Sequence, residues 1–141
     1  MRKTSTQLDA EIAEALAEPK RLPIPFPYER KPMVPGGLHK YAHKGRVSVA
    51  DLIATQSHVT DVGLAKYVKA KRVPTSELPL VYKTDDGRYY IADGHHRIVA
   101  AVMRGQKQVD ARIVDIGDPD APYDQQVERL RRLEYERAAR S

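Results

Sequence analysis

The chain has 141 residues, 41% hydrophobic and 30% charged, with a net charge of +5 and no cysteine. That length suits a single core; the missing thiols exclude disulfides, a cysteine nucleophile and cysteine-ligated zinc, and no apolar run reaches the 18 residues of a membrane helix. The basic balance favours polyanionic partners such as nucleic acid or nucleotides, but acids and bases are interleaved and only 66–72 holds a local excess.

In chain order, the first residues lead into an acidic helical stretch and not an apolar one, so no secretory signal is expected and the cytoplasm is the expected compartment. Leu8, Ile12, Ala15 and Leu16 form a helical stripe that Pro19 ends. Pro23, Pro25, Pro27, Pro32 and Pro35 then impose an extended path up to Gly36 and Gly37. This arm is expected to lie across the core; the alternative is a proline-rich ligand for a partner's groove. His39 and His43 have i,i+4 spacing but no nearby carboxylate, a weak zinc signal.

Val47 to Val49 reads as a short strand. Ser48 with Asp51 resembles a capping box, followed by a helical turn through Leu52 and Ile53. Asp61 is placed to cap a helix running to Ala70, with Leu64, Tyr67 and Val68 on one face. Leu80–Tyr82 and Tyr89–Ala92 flank Asp85-Asp86-Gly87, a strong hairpin signal. After Asp93-Gly94 a helix is expected from His95 or His96 to about Arg104, burying Ile98, Ala101, Val102 and Gly105, with Gly105 as its stop. Val109, Ala111 and Ile113 alternate with polar residues as a closing strand. From Pro122 onward a last helix carries Val127, Leu130 and Leu133 on one line and the i,i+4 pairs Glu128–Arg132 and Glu136–Arg140. It is expected to pack on the core, or to pair with a second copy as a homodimer. The expected organisation is therefore 1–45 as helix and arm, 46–117 as core and 118–141 as C-terminal helix.

The chemistry concentrates in Asp93-Gly94-His95-His96-Arg97. The free N–H groups and dipole of a following helix attract anions, and Gly94 permits close backbone approach. Arg97 in the first turn opposes the dipole, at a cost that a bound anion would offset. His95 and His96 add donors and a proton acceptor near neutral pH. The bland alternative is a structural turn in which Asp93 caps the helix, Arg97 pairs with Asp93 or Asp115, and one histidine is buried.

The run from Tyr90 to Ala101, then Gly105, then Val109 to Val114, resembles the signature of the ParB/sulfiredoxin-like superfamily: a strand, a glycine with two polar residues and Arg, an alanine-bearing helix, a glycine and a strand. Val47 to Leu52 with Gln56 is similar to the start of ParB domains, and the Asp-Gly-His-His-Arg form resembles bacteriophage ParB-like domains and free-serine-kinase relatives. The likeness spans about half the chain, from Arg46 to Asp115. It implies an α+β fold with a small mixed sheet and packed helices, in a bacterial or phage-infected cell. It also implies ATP or CTP with Mg²⁺ bound at the loop, by Gly94, His95, His96, Arg97 and Gln56. Asp93, His95 and His96 are the catalytic candidates for hydrolysis or transfer of a phosphoryl group, with Asp93 as the metal ligand. Sulfiredoxin chemistry needs a cysteine where His95 stands and is excluded. The Glu-Arg-Arg of partition proteins is also missing, so centromere binding is not expected. A ParB-like nuclease or DNA-binding protein is the alternative, with Lys66, Lys69, Lys71 and Arg72 as the nucleic-acid contacts. A metal-dependent nuclease would draw on Asp93, Asp51 and Asp61. A non-catalytic phage or mobile-element interaction module is the third reading.

Overall fold

The β5–β6 hairpin is the centre of the molecule, and its sequence explains why. In a computed structural model, which describes residues 20–68 and 78–140, β5 (Leu80–Thr84) and β6 (Tyr89–Asp93) pair antiparallel. Gly87 takes φ 83°, which the turn requires. Both strands are apolar on both faces, the mark of strands covered on two sides. Val81 and Ile91 point one way; Leu80, Tyr82, Tyr90 and Ala92 point the other.

Around this hairpin the sheet has the order β2-β7-β5-β6-β3, with β2 at His43–Ser48, β3 at Leu52–Ile53 and β7 at Gln108–Gly117. β7 runs parallel to β5 and antiparallel to β2, and β3 lies parallel to β6. Three helices complete the described α+β fold: α1 (Asp61–Val68), α2 (His95–Met103) and α3 (Tyr123–Ala139). None of the described helices is long and apolar enough to cross a membrane.

Helix α2 lies between two layers. Ile98 and Ala101 meet the sheet alongside Val81, Ile91 and Ala111. Val99 and Ala100 meet Val59 and Leu64, with Leu22, Ile24 and Phe26 closing that cluster. Small alanines let both neighbours approach. The helix ends as Gly105 predicts: Gly105 (φ 82°) donates to Val102 C=O and Gln106 to Ala101 C=O, the paired bonds of a Schellman stop. Gly105 itself is exposed and Val102 only half-buried, so the buried line is His95, Ile98, Val99, Ala100 and Ala101.

The proline-rich arm belongs to this layer. Its strand β1 (Arg21–Pro23) pairs with β4 (His58–Thr60), and Glu29 and Ile24 donate backbone bonds to Ala54 and Ser57. Leu22, Ile24 and Phe26 of the arm pack against the core as expected, while Tyr28 and Met33 stay exposed. The expected boundary at 45/46 falls inside β2.

Several local expectations are corrected. Ser48 makes no side-chain cap; a three-residue 3-10 turn, Val49–Asp51, leads into strand β3 and not into a helical turn at Leu52 and Ile53. Thr60 caps α1, its Oγ1 accepting Gly63 N–H at 3.1 Å, while Asp61 is the first helical residue. The predicted extension to Ala70 and the helix before Pro19 lie outside the described residues. Strand β7 continues past Ile113, because Val114 and Ile116 shift the apolar positions to the opposite face. On that face Leu130 and Leu133 of α3 pack beside Leu38 of a 3-10 turn, Gly36–Tyr41. Lys40 and Glu134 form an ion pair at 2.7 Å there, while the expected Glu128–Arg132 and Glu136–Arg140 pairs are not made. His39 is bonded to the Tyr82 hydroxyl at 2.8 Å, and His43 begins β2.

Candidate functional site

The chain leaves β6 at Asp93, turns at Gly94 and starts α2 at His95. Gly94 takes φ 95° and ψ 28°, and a Cβ there would lie 2.9 Å from Pro79 Cα. The glycine is therefore required by a left-handed turn and by crowding from its own chain; the close approach read from the sequence as a ligand's is made by Pro79. Ile98 N–H closes the first helical turn on Gly94 C=O at 3.1 Å. The N–H groups of His95, His96 and Arg97 precede that bond and meet no acceptor among the described residues, so they keep the positive end of the helix open.

The two histidines perform one structural task. His95 Nε2 accepts Thr55 N–H at 3.0 Å, and Thr55 Oγ1 donates to Ile91 C=O at 2.6 Å. His96 Nε2 accepts Thr60 N–H, also at 3.0 Å. Both rings thus tie the 55–60 segment to the start of α2. A ring nitrogen that accepts from a backbone amide carries no proton, so each imidazole carries it on Nδ1. His95 is buried at 4% exposure. Burial pushes its pKa down to about 4, the Asp93 charge opposes the shift, and His96 and Lys31 add to it. Its Nε2 is already engaged, which leaves no free base there for the proton-accepting role read from the sequence.

His96 rests on Gly63, where a Cβ would come 2.6 Å from His96 Cδ2. We expect Gly63→Ala to displace the ring and lower stability by about 2 kcal/mol, checked by thermal melts together with the imidazole ¹⁵N shifts of His96. A melt unchanged within error would show that the ring has room to move.

Arg97 is half-buried and makes none of the ion pairs foreseen with Asp93 or Asp115. Its guanidinium lies over the Tyr67 ring at 5.2 Å, and its buried Nε has no hydrogen-bond partner. Asp93 is exposed and does not cap α2. The Lys31 ammonium reaches Ala92 C=O at 3.4 Å, beside the same turn. Gln56 is exposed and folds onto its own loop, donating to His58 C=O at 2.8 Å.

The structure thus brings Asp93, Gly94, His95, His96, Arg97 and the Gln56 loop together. Among the described residues no group of three or more His, Asp or Glu is clustered as a metal cage, and Asp51 and Asp61 do not join Asp93. Of the basic group, Lys66 is exposed on α1, while Lys69, Lys71 and Arg72 lie outside the described residues. Sequence reasoning missed Thr55, Thr60, Gly63, Tyr67 and Pro79. All but Tyr67 are small or turn-forming residues without a chemical signature, and their importance comes from partners more than 14 residues away.

No family model matches the chain, and no curated protein matches it. Among solved structures it is similar to protein Atu1540 from Agrobacterium tumefaciens, at 20% identity and a TM-score of 0.46. The match covers 65% of this chain and 48% of that one, so it spans about half the length of that protein.

Proposed function

We propose that this chain is a ParB/sulfiredoxin-like domain that binds the phosphates of a nucleoside triphosphate at the start of α2 and hydrolyses or transfers a phosphoryl group. The observation that carries the reading is Arg97. A half-buried guanidinium sits at the positive end of a helix with no carboxylate partner and a buried Nε lacking an acceptor. Such a group is destabilising by itself, and an anion over the helix start would offset both penalties. The order β6, Gly94, α2, Gly105, β7 supports the family reading, since it follows the motif order on which the resemblance rests.

The free N–H groups of His95, His96 and Arg97 would hold phosphate oxygens, with Arg97 and Lys31 supplying charge. Mg²⁺ commonly takes one or two carboxylates and completes its shell with phosphates and water, so a single exposed Asp93 fits that ion when a nucleotide brings it. Bound Mg²⁺ would neutralise charge on the phosphates. His95 holds the loop in place, and His96 offers an Nδ1–H donor at the site.

Calorimetric titration with ATP, CTP and GTP in Mg²⁺ is expected to show saturable binding, weakened at least about tenfold by Arg97→Gln. Release of inorganic phosphate is expected to fall in Asp93→Asn. No binding at millimolar nucleotide would remove the reading.

A further inference from the structure

Beside His96, the loop 55–60 and strand β1 enclose a shallow depression of about 300 Å³. Its polar lining is Arg21, Gln56, Ser57, His58, Thr60 and His96, and no carboxylate lines it. Arg21 stands on β1 opposite Thr60, and Pro23 stands opposite His58, so the β1–β4 pairing brings the guanidinium and the imidazole to one side of the loop. His58 Nδ1 is bonded to the Ser57 hydroxyl at 2.7 Å, and its Nε2 has no partner among the described residues. The Cδ2–Nε2 edge of His96 lies against Gly63 and Thr60, which turns its protonated Nδ1 away from α1. The depression therefore gathers a fixed cation and an open imidazole nitrogen beside the His96 ring, with no opposing charge in its wall. A phosphoryl group fits that set: its negative charge faces the Arg21 guanidinium, and its oxygens accept from the guanidinium N–H groups.

We infer that this depression receives the terminal phosphoryl group of the nucleotide, with Arg21 and His58 as anion-binding residues beside His96. The inference rests on the nucleotide reading above, and it enlarges the site from the start of α2 to the β1–β4 pair. Arg21 and His58 are exposed at the ends of short strands, so Arg21→Gln and His58→Gln are expected to melt as the wild type does.

The test titrates the full chain with inorganic triphosphate, ATP and AMP in Mg²⁺. Triphosphate and ATP are expected to bind each variant about tenfold more weakly than the wild type. AMP affinity is expected to be unchanged, and Arg21→Lys to restore most of the loss. Unchanged ATP affinity in both variants, with loss only in Arg97→Gln, would overturn the inference and leave the nucleotide reading standing. Equal loss for AMP and ATP would also overturn it, because the contact would then not be to the terminal group. A wild-type chain that binds none of the three would remove both.

Discussion

Gly94→Ala is expected to be the most destabilising glycine-to-alanine change among the described residues, by about 3 kcal/mol. Two terms add. An L-residue held at φ 95° costs about 1–2 kcal/mol. The new methyl would also meet Pro79 Cα at 2.9 Å, a backbone atom just before β5 whose own carbonyl is held by Arg112 N–H, and overpacking of that kind costs about 1–3 kcal/mol. Gly87→Ala separates the two terms. Gly87 has φ 83°, but nothing lies within 4 Å of the place its added methyl would take, so only the conformational cost of about 1 kcal/mol applies. In chemical denaturation with Gly87→Ala as the reference, Gly94→Ala is expected to lose about 2 kcal/mol more. Equal losses would show that Pro79 yields and that Gly94 is needed for its conformation alone.

That pair of glycines also shows how far the sequence can be read. The hairpin, the turn at Gly94 and the stop at Gly105 are all legible, because each depends on a positive φ that glycine supplies locally. The reason Gly94 is irreplaceable is not legible, since Pro79 reaches it through the β5–β6 pairing. Strand β3 escapes sequence reading for a different reason. Ser48-x-x-Asp51 has the outline of a capping box, and a two-residue strand has no periodicity with which to oppose it. Only its parallel register, Leu52 to Tyr89 and Ile53 to Tyr90, identifies it. In β7 the alternation is traceable to Ile113 and lost there, where the apolar parity changes as the strand becomes covered on its other face.

The candidate site divides the same way. Its composition is readable, because a glycine turn followed by His-His-Arg at a helix start is a local pattern. The division of labour within it is not. As letters, His95 and His96 both suggest chemical roles, yet each ring accepts a backbone amide from a loop more than 30 residues earlier. The sequence leaves Arg97 to be compensated by an anion or by a carboxylate. The structure removes the carboxylates from contention and leaves the charge standing over Tyr67.

The buried imidazole makes stability fall in acid, and the sign follows from its shift. His95 has its pKa pushed down to about 4 in the folded chain, below the ordinary 6.5 that the unfolded chain would show. Above about pH 6.5 both states hold it neutral and its full contribution is present. As pH falls from 6.5 toward 4 the unfolded chain takes up the proton first, and folding loses roughly 2–3 kcal/mol, allowing for solvent screening. Below about pH 4 the folded ring is protonated as well. Its Nε2 then becomes a donor facing the Thr55 N–H, and the tie between α2 and the 55–60 loop is broken. His95→Gln keeps an acceptor for Thr55 but cannot titrate. Urea denaturation at pH 7.5, 6, 5 and 4.5 is expected to show the wild type losing about 2 kcal/mol more than His95→Gln across that range. The wild-type ring should also give the ¹⁵N pattern of an Nδ1–H tautomer at pH 6. Parallel pH profiles for the two chains would mean that His95 is not the group that makes the fold sensitive to acid, and the ¹⁵N pattern of an Nε2–H tautomer would withdraw the Nδ1–H assignment.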